Sequence, residues 1–107
     1  MPTFYKNAKA DLTSTAATSL YTTPTAKTAV FRSLLVSEDS GNADTITVTI
    51  TDTDSAVFSL YKVKAVSANT TVELLSQPLV IEESEILKVT AATANRLHVV
   101  GSYVEIS

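Results

Sequence analysis

The groups in this chain that could do chemistry are eleven carboxylates, one histidine and twelve serines. Asp44, Asp52 and Asp54 could gather oxygens for a calcium ion, but their spacing matches no EF-hand loop, and Asp is an ordinary turn former. Glu82, Glu83 and Glu85 fall within one short turn. Glycoside hydrolysis needs two carboxylates facing each other across a cleft, so three acids in one turn read as a solvated face. His98 is the lone histidine and cannot build a His cluster for zinc. A serine triad would need it as base, and no Gly-x-Ser-x-Gly elbow accompanies the serines. Set between Leu97 and Val99, His98 reads as a surface strand residue. Two glycines leave no phosphate-binding loop of the usual form. The absence of cysteine removes disulfides, thiolate zinc sites, iron–sulfur clusters and thiol nucleophiles together. Tryptophan is also absent, which weakens a sugar-binding cleft, although Tyr21, Tyr61 and Tyr103 could stack on a sugar ring. The sequence therefore predicts no catalytic residue, no cofactor and no bound metal, and keeps a carbohydrate-binding sandwich as an alternative.

The elements that must position these residues are strands. Thr45-Ile46-Thr47-Val48-Thr49-Ile50-Thr51-Asp52-Thr53 alternates strictly, placing Ile46, Val48 and Ile50 on one face and threonines on the other. Such a strand lies in an antiparallel sheet with one face on a core and one in water. Residues 28–37 form the longest β-like run. Val30, Leu34 and Val36 share one parity and Phe31 and Leu35 the other, which predicts a central or covered strand. Arg32 must then lie at a bulge or against a carboxylate, because a buried unpaired guanidinium is too costly. Further strands are predicted at 19–23, 56–66 with Lys62 and Lys64 exposed, 71–75, 86–92 and 97–106, with a brief apolar segment at 79–81 and turn residues between them. No 3.6-residue apolar stripe persists long enough for a helix. The predicted fold is an all-β antiparallel sandwich, jelly-roll-like, of seven to eight strands in a single domain spanning 1–107. Residues 1–18 are a possible N-terminal arm, with 4–10 either an arm or a first strand.

Two places carry more apolar surface than one sheet face needs. Phe4 and Tyr5 stand together near the N-terminus, where paired aromatics tie a terminus to its own sheet or to a neighbour. On the last strand Leu97, Val99 and Tyr103 share one parity, while Val100, Val104 and Ile106 occupy the other, where water would normally lie. That second face needs a cover, either core from a neighbouring sheet or a subunit contact. Phe4, Tyr5, Val100, Val104 and Ile106 are accordingly the candidate interface residues.

Length and composition bound what remains. The 107 residues, 45% hydrophobic and 18% charged with mean hydropathy +0.19, describe one ordered domain. The net charge is −3 and the eight Lys and Arg are scattered, so no basic footprint for nucleic acid or acidic lipid is expected. No run approaches the ~18 apolar residues that span a bilayer. Met1-Pro2-Thr3-Phe4-Tyr5-Lys6 lacks the pattern of a signal peptide, which predicts a chain made in a cytoplasm that stays soluble and that would leave a cell only by another route.

Three stretches carry a resemblance. The first is Tyr21-Thr22-Thr23-Pro24 followed by Lys27-Thr28-Ala29-Val30-Phe31-Arg32-Ser33-Leu34-Leu35-Val36-Ser37. The second runs from Ala68-Asn69-Thr70-Thr71-Val72-Glu73-Leu74-Leu75 through Ser76-Gln77-Pro78-Leu79-Val80-Ile81-Glu82. The third comprises Leu87-Lys88-Val89, Ala94-Asn95-Arg96-Leu97-His98-Val99 and Ser102-Tyr103-Val104-Glu105-Ile106. As an ordered set over residues 19–106 they resemble small all-β structural proteins of tailed bacteriophages, especially of marine and cyanobacterial hosts. The resemblance implies assembly without catalysis. Its roles are capsid decoration (cement) or a neck, tail or fibre component, in a virion assembled in the host cytoplasm. The implied partners are other virion proteins, the major capsid protein first, and further copies of the chain. Two turns depart from the family pattern. Pro24-Thr25-Ala26-Lys27 stands where Pro-Ala-Gly-Lys is expected, and Ser84-Glu85 where Gly-Asp is expected.

Overall fold

The computed structural model describes residues 3–107. Nine strands follow one another: Thr3–Asp11 (β1), Thr18–Thr22 (β2), Thr28–Glu38 (β3), Asp44–Thr51 (β4), Val57–Val66 (β5), Thr71–Glu73 (β6), Leu79–Ile81 (β7), Ile86–Ala91 (β8) and Leu97–Ile106 (β9). They form two antiparallel sheets. The larger runs β1-β9-β3-β6, with β7 also on β3; the smaller runs β2-β8-β4-β5. β6 pairs with Leu35–Ser37 and β7 with Ala29–Phe31, so the two are halves of one strand interrupted before Pro78. Proline cannot donate to the ladder, which accounts for the break. Counted that way the topology is an eight-stranded jelly roll of two four-stranded sheets, the all-β sandwich that the alternating runs predict. Residues 4–10 belong to β1, which pairs with β9 along its whole length. Met1 and Pro2 of the predicted arm lie outside the described residues.

The threonine strand is β4 and follows its pattern. Ile46, Val48 and Ile50 are buried and the threonines between them face out. β3 is less simple. Ala29 and Phe31 point inward, and so do Leu34 and Val36, an odd set followed by an even set. The switch occurs where the β3–β9 register shifts between Phe31 and Ser33. One extra residue in a strand flips every later side chain, and Arg32, at that bulge, is exposed. The expected two-faced strand is thus two one-faced half-strands. Gly101 on β9 lies opposite Leu34 just beyond the bulge. A Cβ there would sit 2.5 Å from Phe31 Cε2 and 3.0 Å from Phe31 Cδ2, so the glycine makes room for the ring.

Both turns that lack their expected glycine keep a left-handed backbone. Ala26 has φ of 64° and Ser84 of 66°. Each is the third residue of a turn closed by an amide-to-carbonyl hydrogen bond, Lys27 to Pro24 at 3.2 Å and Glu85 to Glu82 at 3.0 Å. A positive φ at that position defines a type II turn, which glycine fits without strain. Leu12, between β1 and β2, is 1% exposed and plugs one end of the core, with its amide bonded to Leu97 O.

Candidate functional site

The outward face of the larger sheet carries exposed apolar residues in two rows, separated by a polar row of Asn7, Ser102 and Ser33. Register places Tyr5 beside Val104, Val104 beside Val30, and Val30 beside Val80, one row across four strands. A second row runs Lys9, Val100, Leu35, Glu73. Strand spacing makes each row about 14 Å across, and the rows lie about 13 Å apart along β1. Tyr5 is 80% exposed, Val80 52%, and Val100 and Leu35 38% each. Among the described residues neither sheet nor loop covers this face, so the second apolar side of β9 is not core from a neighbouring sheet.

The predicted interface residues distribute unevenly over this surface. Tyr5 and Val100 are on it and available. Val104 is on it but buried, because Tyr5 and Arg32 flank it in a shallow crevice with Asn7 and Ser102; as a contact residue it is corrected to a floor beneath the others. Ile106 is half-buried at the end of β9. Phe4 belongs elsewhere, since its parity turns it toward the mouth of the sandwich. Val30, Leu35 and Val80 complete the face and were not singled out from sequence. The signal for them lay in the β3 run, whose apolar residues outnumber one face once the bulge is counted.

At that mouth, between β1 and β2, lies the most polar cluster of the interior. Glu105 is 3% exposed. It accepts from Tyr21 Oη at 2.7 Å, Lys6 Nζ at 3.3 Å and Lys27 Nζ at 3.2 Å. Both ammonium groups also lie over the Phe4 ring, 5.6 and 5.8 Å from its centroid. The Tyr21 hydrogen bond, with those of the two lysines, outweighs burial and holds the Glu105 carboxyl below its ordinary range. Burial, reinforced by Glu105, pushes the Tyr21 phenol up. Tyr21, Phe31 and Tyr103 pack ring to ring, with centroids 4.5 to 5.4 Å apart. Every partner of the carboxylate is supplied from within the chain, so the cluster closes an open seam. Glu105 was not picked out as a site from sequence, yet it shares parity with Leu97, Val99 and Tyr103, which marked it as inward.

The other candidates are turn and edge residues. Asp44 and Asp52 lie at opposite ends of β4 and are not brought together. Asp44 accepts from the Thr93 amide, and Asp52 accepts from the Asp54 and Ala56 amides. Glu83 accepts from the Ala26 amide and Glu85 from the Glu82 amide. His98 sits between Asp11, at 3.1 Å, and Asp39, at 3.5 Å, on the outward side of the larger sheet. Tyr21 and Tyr103 turn inward, and Tyr61 donates to Leu74 O, so these rings form no exposed platform for a sugar. Glu38, 1% exposed, accepts from the Ser40, Gly41 and Asn69 amides and the Ser40 hydroxyl, pinning two loops. Burial raises its carboxyl, but these hydrogen bonds prevail and bring it down to about 2. A second apolar patch lies on β5, the free edge of the smaller sheet, where Val57, Phe58 and Val63 are 61%, 56% and 60% exposed. Lys62, Lys64 and a left-handed Val63 (φ 53°) blunt one half of that edge.

Neither a protein-family model nor a curated protein matches the chain. Four chains of solved structures do. One, from the structure of infectious bursal disease virus Gt strain, superposes with a TM-score of 0.50 at 12% identity, over 98% of this chain and 30% of that one. The chain thus spans less than a third of the length of that neighbour. The likeness is one of fold and agrees with the sandwich described above.

Proposed function

We propose that this chain is a virion structural protein, and within that class a capsid decoration (cement) protein of a tailed bacteriophage. The observation that carries the reading is the uncovered apolar face of the larger sheet. A lone molecule in water gains nothing from turning Tyr5, Val80, Val100 and Leu35 outward, whereas exposed apolar residues grouped in this way mark contacts. Val57 and Phe58, exposed at the β5 edge of the other sheet, offer a second place of contact, so one molecule can touch two neighbours. Many symmetry-related copies, each burying modest area, add weak contacts into a stable lattice. The fold likeness to a chain of a virus particle and the ordered resemblance to phage structural proteins support the same role. The major capsid protein is the first partner, reached in a virion assembled in the host cytoplasm.

The test is to add purified chain to shells that lack it. Saturable binding in a fixed ratio to the capsid protein, with shells that withstand higher temperature, is the expected result. Binding confined to tails would move the chain to the tail, and no binding to any particle would overturn the virion reading.

A further inference from the structure

We infer that the outward face of the larger sheet packs against the same face of a second copy about a two-fold axis parallel to the strands. Such an axis, lying between the two stacked sheets, exchanges β1 with the β6–β7 edge and β9 with β3 while keeping every row at its own height. Tyr5 then lies over Val80 of the second copy and Val104 over its Val30. In the other row Val100 meets the second copy's Leu35, and Lys9 meets its Glu73. Within these two rows apolar residues face apolar residues, and Lys9 faces Glu73, whose carboxylate is held in place by the Ser33 hydroxyl and the Leu34 and Leu75 amides. This is the self-complementarity that an isologous contact requires. Arg32 lines the same crevice as Tyr5 and Asn7, on the β1 side of the bulge, so the two guanidinium groups fall on opposite sides of the axis, each over the half of the second copy that carries Glu73. The face is four strands wide and nine residues long at β1, on the order of 600 Å² in projection. That is near the low end of stable interfaces, so the dimer is concentration-dependent.

The inference deepens the assembly reading by giving one face its occupant. Tyr5 and Val80 lie three strands apart within one molecule, about 14 Å, well beyond the reach of a disulfide. The chain has no cysteine of its own. The double variant Tyr5→Cys/Val80→Cys should therefore form a covalent dimer on mild oxidation, whereas Tyr5→Cys/Thr49→Cys, with its second thiol on the opposite side of the sandwich, should not. In sedimentation, Lys9→Glu should weaken the wild-type dimer about tenfold, since each dimer has two such pairs and the reversal turns attraction into repulsion. No more cross-linking than in the control, or an unchanged association of Lys9→Glu, overturns the arrangement. If the double variant stays monomeric while the face is buried in a virion, the occupant is another virion protein and this inference falls while the virion reading stands. A cross-linked dimer that enters no particle has the opposite meaning.

Discussion

On β4 the residues turned away from the core are Thr45, Thr47, Thr49 and Thr51; on β9 and β3 they include Val100, Val104, Val30 and Leu35. The inward sides differ in the reverse sense. The smaller sheet presents Ile46, Val48, Leu87 and Val89, with a single carboxylate, Asp44, at the start of β4. The larger sheet presents apolar residues and also Glu38 and Glu105, at the ends of β3 and β9. The smaller sheet is thus finished for water along β4, its exposed apolar residues being confined to the β5 edge. The other hides carboxylates and shows hydrocarbon. Burying a carboxylate is tolerable only when hydrogen bonds or cations surround it; Glu105 has a tyrosine and two lysines, and Glu38 has three amides and a hydroxyl. An outward apolar face becomes favourable when another macromolecule covers it.

Substitutions that break this contrast should rank as follows. Glu105→Ala leaves Tyr21 Oη and two ammonium groups without their acceptor and should cost about 3 kcal/mol in denaturant unfolding. A cost under about 1 kcal/mol would show that solvent already screens the cluster. Gly101→Ala forces a methyl against the Phe31 ring and should cost about 2 kcal/mol by the same measurement. The acid limb tests Glu38. Its carboxyl titrates at about 2 in the folded chain against 4.5 ordinarily. The stability this supplies is whole above pH 4.5 and is lost as pH falls through 2. Glu38→Gln should flatten that part of the unfolding curve. Some slope should remain, because the carboxyls of Glu73 and Glu105 are lowered too. Ala26→Gly and Ser84→Gly relieve a left-handed backbone and should each stabilise by about 0.5–1 kcal/mol, read as a rise in melting temperature. Thr49→Val on the water-facing sheet should change stability by less than about 0.5 kcal/mol and leave association untouched.

The two sheets were not equally legible in sequence. β4 could be read residue by residue, because strict alternation with one apolar face admits a single register. β3 could not, because its bulge moves the inward set from odd to even positions and no local residue announces the shift; only the awkward placement of Arg32 hinted at it. The same slip concealed Val30 and Leu35 as outward residues. Glu105 was hidden by its charge, since a carboxylate at an inward position is excluded unless its lysines and tyrosine, 78 to 99 residues away in sequence, are known to converge on it. The two turns that lost a glycine kept their geometry, because the strands on either side hold the backbone where the chain would otherwise resist it.

Hydroxyl-radical footprinting of the chain, free at a dilution where it is monomeric and at high occupancy in an assembled particle, tests most directly whether the apolar face is a contact surface. Protection at Tyr5, Leu35, Val80 and Val100, with Thr45, Thr47, Thr49 and Thr51 as reactive as in the free chain, is the predicted result. Protection of the threonine face alone, or of neither face, would contradict it.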